Sequence, residues 1–288
     1  MAHGPEVQDV QSANNVITGQ ALGKNNLPSR ISFPLPHALL IACVSLSAPC
    51  AAAPLNGHAL LEDTKLYFTA PVRWDGNDWL YFGGTIVAIG VAYQFDDNVR
   101  AHFATSSSAA LDGSDPNSLR DAAPAAAMLV GTWAFAAILD DRDGYEEGGE
   151  MLEAAGLTAL STTLLKFAAG RMRPNETTQV DDWFQGGDSF PSMHVSATFA
   201  IGTVLAESGG DEYRWLRRAL GYGLASATAY ARIHDNVHWL SDTVAGAALG
   251  IATAHFTMHR GDARAHRSAF MVVPANGGLL LTYTHPLH

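Results

Sequence analysis

The sequence predicts an all-α fold: a helical bundle of about six core helices with its functional site at the helix ends. Three observations predict it. Apolar stretches of helical length recur along the chain, each closed by a turn signal or a charged run. Residues Val195, Phe199, Ile201, Val204 and Leu205 form an apolar stripe at helical spacing behind Pro191. Strand-like segments are confined to Phe270–Pro274 and Leu279–Thr284, around Ala-Asn-Gly-Gly, and read as one small C-terminal β-hairpin.

Residues 1–30 are polar, with Asn, Gln and Ser enriched and little apolar periodicity. Lys24 and Arg30 precede an apolar run, Ala38 to Ser47, and small residues follow from Ala48 to Ala53. Basic flank, short apolar run and small-residue end make a secretory signal-peptide pattern. Leu40-Ile-Ala-Cys43 offers a bacterial lipoprotein box as the alternative. Residues 1–53 are therefore read as a leader and 54–288 as a single helical domain. Both cysteines, Cys43 and Cys50, fall in the leader, so the mature chain is expected to hold no disulfide.

Within that domain the candidate helices come in order. Trp79 to Phe95 is apolar and ends at Asp96-Asp97. Asp112 to Asn117 is turn-rich, and Ala122 to Leu139 is the longest nearly charge-free run, closed by Asp140 to Gly144. Glu150 to Ala169 leads into Lys166, and Pro174 stops it. A polar loop, Asn175 to Gly187, precedes the helix that runs from Pro191 to about Glu207. Tyr213 to Ala231 carries Arg232 at its end, and His238 to His259 closes the set, with Gly246 and Gly250 placed for close packing. A spanning helix needs about 20 apolar residues. Only Ala122–Leu139 approaches that, so a water-soluble or peripherally attached bundle is expected.

The chain has 288 residues, 48% of them hydrophobic, which is enough for a sizeable core. Its net charge of −11 argues against a nucleic-acid partner. Against that background Lys166, Arg171, Arg173 and Arg232 gather near one predicted site. Pro191 is suited to a first helical turn, so Ser192, Met193 and His194 are expected to open a helix with N–H groups that lack an intrahelical partner. Such a terminus is an anion site. Lys166 and Arg173 are seven apart, on one face if the helix continues. His238 and Asp242 are four apart, which puts a carboxylate one turn above an imidazole.

Lys166-x6-Arg173-Pro174, Pro191-Ser-Met-His194 and Ala231-Arg232-x5-His238-x3-Asp242 resemble, in order and spacing, the three-part signature of the type 2 phosphatidic acid phosphatase and vanadium haloperoxidase superfamily. The resemblance covers about residues 120–258. Met193 stands where that family usually has Gly, and Ala231 where it has Ser. The resemblance implies a phosphatase acting on phosphomonoesters through a phosphohistidine, with no cofactor and no metal, and with vanadate as inhibitor or phosphate mimic. His238 would be the nucleophile, Asp242 its orienting carboxylate and His194 the general acid. Lys166, Arg173, Ser192, Met193 and Arg232 would hold the phosphate.

The cations themselves suit this chemistry, because phosphoryl transfer asks for charge stabilisation more than for covalent help. Alternatives with the same residues are an integral-membrane lipid phosphatase acting on phosphatidate or undecaprenyl diphosphate, a vanadate-dependent haloperoxidase, and a non-catalytic anion binder. His234 with His238 also forms His-Asp-x-x-His, a zinc-helix pattern without an evident third ligand. Arg171 is read as a surface charge, with an outer-shell phosphate contact as the alternative, and Asp188 as a loop cap. An exported protein is expected, in the periplasm or on the periplasmic face of a membrane, with a phosphorylated small molecule or lipid as partner.

Overall fold

The computed structural model describes residues 57–104, 113, 115–211, 213–265, 269–275 and 278–284, with side chains described between 60 and 260. The leader and its two cysteines lie outside the described residues. Two of the helices have no counterpart in the sequence reading: α1 (Gly57–Thr69), followed by a 3-10 turn, and α3 (Asp96–Ala104). The rest match with shifted ends: α2 (Gly76–Tyr93), α4 (Ser118–Leu139), α5 (Arg142–Ala169), α6 (Met193–Glu207), α7 (Arg214–His234) and α8 (Leu240–Ala265). β1 (Ala269–Ala275) and β2 (Gly278–Thr284) pair antiparallel, with Val272 opposite Leu281, as the hairpin reading expects.

Local chemistry sets the boundaries. Asp75 caps α2 by accepting from the N–H groups of Asn77 and Asp78, while the Asp78 carboxylate accepts from the Asp75 N–H. This reciprocal capping box satisfies donors that a helix start otherwise leaves open. Asp140 ends α4 in the left-handed region, and Asp141 at once caps α5 by accepting from the Asp143 N–H. The charged run read as a helix end is thus an end and a start together. Gly170 ends α5 at φ 52, a conformation that glycine adopts without a Cβ penalty.

Helix α6 is the centre of the bundle and packs against α4, α5, α7 and α8. Met128, Met151, Ala154, Ala200, Ile201, Val204 and Ala254 form the core, drawn from α4, α5, α6 and α8. The Gly246/Gly250 reading holds. A Cβ on Gly250 would lie 2.2 Å from the Ser196 carbonyl, so α8 meets α6 at backbone distance. That contact puts the first turn of α8 beside the first turn of α6, and the Ser192 N–H donates to the Asp242 carbonyl at 3.1 Å.

Candidate active site

The three motifs converge at one end of the bundle, by routes that differ in part from those their spacing suggests. Lys166 lies in the last turn of α5, but Arg173 is beyond the helix, past the turn at Gly170. The two cations meet through Asp188 rather than through a shared helix face. The Lys166 ammonium donates to the Asp188 carbonyl, while Arg173 donates to both Asp188 carboxylate oxygens, at 2.7 and 3.0 Å. Asp188 is therefore a partner of the cations and not a loop cap.

Arg232 lies in the last turn of α7 and is fully buried. It donates to Asp115 at 2.9 and 2.5 Å and to Asp121 at 3.0 Å. Arg173 reaches the same Asp115 at 3.3 Å. Burial works to raise the Asp115 carboxyl, but Arg232 overrides it, and with Arg173 and His194 lowers it to about 2. Three carboxylates thus sit on the two guanidinium forks: Asp188 on Arg173, Asp121 on Arg232, and Asp115 bridging both. The turn-rich segment before α4 gave no sequence sign of that role.

Pro191 does not open α6. It follows Phe190 through a cis peptide bond, Ser192 takes the N-cap position, and Met193 is the first helical residue. The expected free N–H groups of Met193 and His194 are therefore at the helix start. Met193 has a helical conformation, so its amide is presented as that of Gly would be. The Ser192 hydroxyl is buried with no hydrogen-bond partner among the described residues, and it makes no cap. His194 is half-buried, with Nε2 3.3 Å from the Ser118 hydroxyl of α4.

His238 precedes α8 instead of lying on it, while Asp242 occupies the first turn. Both are buried, and His238 Nδ1 faces Asp242 Oδ2 at 3.5 Å. That is longer than a formed hydrogen bond, and catalytic contacts commonly tighten only when substrate binds. Asp242 is otherwise well held: Oδ2 accepts from the Ser189 hydroxyl at 2.5 Å and from the Trp239 N–H at 3.0 Å. Burial, with Arg232, Lys166 and Arg173 nearby, pushes the His238 imidazole well below its usual range. It is therefore held neutral, the form whose free nitrogen is a nucleophile.

The zinc-helix pattern does not assemble: His234 turns to Asp235, Nδ1 to Oδ1 3.2 Å, and no group of three or more metal-ligating side chains converges among the described residues. Arg171 overturns the reading of a surface charge, for it is 1% exposed and donates to Asp242. Trp183, between the first two motifs, and Trp239, inside the third, were the available signal for a buried cation there.

A buried imidazole–carboxylate pair and three cations thus meet at one end of the helical bundle, an arrangement suited to an oxyanion. Residues 148–265 match the model of the PAP2 superfamily, and all three motifs lie inside that span. The lipid A 1-phosphatase of Porphyromonas gingivalis is 38% identical over 86 residues, covering 30% of this chain and 17% of that one. A PA-phosphatase related-family protein of Dictyostelium discoideum is 29% identical over 122 residues, 37% of this chain and 45% of that one. The chain thus spans less than half the length of these curated relatives. Among solved structures, Aquifex aeolicus LpxE overlaps 56% of this chain and 84% of its own at 23% identity and a TM-score of 0.35. The transmembrane PAP2-type phosphatidylglycerolphosphate phosphatase from Bacillus subtilis overlaps 73% and 89%, at 16% identity and 0.36.

Proposed function

We propose that this chain is a membrane-embedded phosphatase that removes a phosphomonoester from a lipid through a phosphohistidine at His238. The observation that carries the chemistry is the buried, neutral His238 facing Asp242 Oδ2 among Lys166, Arg173 and Arg232. His238 Nε2 attacks phosphorus and the bond to the lipid oxygen breaks, with His194 giving its proton to that oxygen. Asp242 accepts the Nδ1–H and stabilises the imidazolium that forms. Water then attacks phosphorus, its proton passes to His194, and the N–P bond breaks to release phosphate. Arg173, Arg232, Lys166 and the α6 amides carry the equatorial charge. The phosphoryl group takes the position of Asp115, which binds the same two arginines in the free enzyme.

The lipid part of the reading rests on the flanks, and it replaces the water-soluble bundle expected from the sequence. α4 is long and apolar enough to cross a bilayer, yet few of its residues are buried within the protein. It exposes Val130, Phe135 and Ile138, and α2 exposes Leu80, Tyr81 and Val87 in the same way. Soluble proteins rarely expose contiguous apolar surface on this scale. At about 25 cal/mol per Å², hydrocarbon is the favourable neighbour for such faces. The lipid named for the Porphyromonas relative agrees with this reading. The signal-peptide pattern of the leader supports a site on the periplasmic face.

The test is a panel on the purified full chain in detergent: dioctanoyl phosphatidate, a water-soluble aryl phosphate and a pyrophosphate, each with His238→Ala beside wild type. Lipid phosphomonoester turnover that vanadate inhibits, that persists in chelator and that His238→Ala lowers by about 10⁴-fold or more is expected. Full activity in that variant would remove the nucleophile. Release of the protein from membranes by a salt wash, with turnover of the aryl phosphate alone, would remove the lipid assignment. Peroxide-dependent halide oxidation would redirect the assignment to a haloperoxidase.

A further inference from the structure

Two arginines are fully buried among the described residues, and one of them, within the Lys166-x6-Arg173 span, is not a residue the signature specifies. Arg171 is 1% exposed, and its guanidinium is stacked among three rings, 4.5 Å from the Trp183 centroid, 5.0 Å from Trp239 and 5.3 Å from Tyr93. Its edges carry hydrogen bonds on both sides. Nη1 donates to Asp242 Oδ1 at 2.7 Å and to the Ser241 hydroxyl at 2.8 Å. Nη2 donates to Asp96 Oδ2 at 2.7 Å and to the Val180 carbonyl at 2.9 Å. Asp96, also 1% exposed, is fixed in turn by the Ser241 N–H at 2.8 Å and the Ser241 hydroxyl at 2.6 Å. A carboxylate of α3 is thereby tied through one guanidinium to the carboxylate that faces His238.

Placing two carboxylates and a guanidinium out of water is expensive, and a hydrophobic replacement is often as stable or more so. Stability alone therefore gives weak reason for the arrangement. Geometry gives a stronger one. Asp242 has two oxygens: Arg171 engages Oδ1, and Oδ2 is the one turned to His238 Nδ1. With Oδ1 engaged, the carboxylate cannot rotate away from the imidazole. Burial raises the Asp242 carboxyl, and the guanidinium opposes that rise, favouring the ionised form that accepts the Nδ1–H. The stacked rings fix the plane of the guanidinium, in the manner that suits Arg and not Lys.

We infer that Arg171, oriented by Asp96 and by the aromatic box of Tyr93, Trp183 and Trp239, is a positioning residue that sets the Asp242 carboxylate against His238. It acts through Asp242 and does not touch the phosphoryl group. The inference rests on the phosphohistidine reading above. Orienting groups of this kind are worth about 10- to 100-fold where they support a metal ligand. A similar fall in kcat is the expected scale here, with KM unchanged because the phosphate contacts remain.

The experiment measures kcat and KM with dioctanoyl phosphatidate in detergent micelles for Arg171→Ala, Asp96→Asn and the double variant, with His238→Ala as reference. Arg171→Ala should lose about 100-fold in kcat at wild-type KM, and tens of millimolar guanidinium should restore about 10-fold of it by entering the vacated aromatic box. Asp96→Asn should lose about 10-fold. The double variant should lose no more than Arg171→Ala, since both changes break one chain of contacts. A folded Arg171→Ala variant with kcat within about twofold of wild type overturns the inference. So does a loss confined to KM, or one that guanidinium leaves unchanged. If Arg171→Ala does not fold, Asp96→Asn alone decides, and an unchanged kcat there overturns it. Failure of these outcomes while His238→Ala is dead sinks only the positioning role. An active His238→Ala sinks the underlying chemistry instead.

Discussion

Helix α6 buries nine of its fifteen residues, whereas α4 buries three of twenty-two: Asp121, Met128 and Ala136. Both are apolar helices beside the same site. Yet α6 encloses Ser196, Thr198 and Thr203, while α4 turns Val130, Phe135 and Ile138 outward and its one buried carboxylate inward. Asp121 is inside because Arg232 is there to meet it at 3.0 Å. In water this distribution is inverted for α4 and ordinary for α6. It becomes ordinary for both if the surroundings of α4 are hydrocarbon, where a carboxylate belongs in the bundle and a valine belongs outside. What a helix hides therefore reports the solvent on its other side, and apolar content alone does not.

The sharpest way to break this contrast is a charge at the middle of the α4 outer face. Val130→Asp should lower the membrane-inserted yield strongly, since a central Asp costs about 2.5–3.5 kcal/mol by insertion scales. A water-facing Val130 would tolerate the change, and normal yield with normal activity would return the bundle to the soluble class.

Next in size is a methyl group at the other helix. Gly250→Ala places a Cβ 2.2 Å from the Ser196 carbonyl, so α8 and α6 must separate. Overpacking of this kind costs about 1–3 kcal/mol, read as a lower melting temperature in detergent. Activity should fall with it, because the same contact aligns Ser192 with Asp242. The matched change on α4 should act the other way. A Cβ on Gly131 meets nothing within 4 Å, and Gly131→Ala should raise stability by about 0.5–1 kcal/mol through helix propensity. A stabilised Gly250→Ala, or a destabilised Gly131→Ala, would mean that the two faces are packed otherwise than described.

The smallest effect concerns the carboxylate between the cradle arginines. Asp115→Asn should tighten inhibition by inorganic phosphate several-fold at neutral pH, by removing a competitor for Arg173 and Arg232. It should also lower stability slightly, with a definite pH dependence. The Asp115 pKa is lowered to about 2 when folded, against about 3.9 for a free Asp. The wild-type advantage is therefore present above about pH 4 and is lost as pH falls through about 2. Equal phosphate inhibition in the two proteins would show that Asp115 leaves the arginines free in solution.

Much of this was legible in the residues. The long helices α2 and α4 to α8 and the terminal hairpin could be read from apolar runs and turn signals. α1 and α3 could not: they are short or polar, and their apolar residues show no clean stripe. The site residues were legible as types because phosphate chemistry needs cations, a nucleophile and an orienting carboxylate in any fold. Their geometry was not. The helical-face argument for Lys166 and Arg173 fails at Gly170, and the pair is assembled by Asp188. The His238–Asp242 spacing gave the right partners across a helix start, not along a helix.

By itself the sequence determined the long helices and the residue types offered to the chemistry, because both follow from local spacing and side-chain type. Only the tertiary structure decided that Arg171 is interior, that Asp115 bridges two arginines, and that α4 faces outward with its apolar side. Each of these depends on what lies across a contact from residues far away in the chain, and no local pattern encodes the far side of a contact.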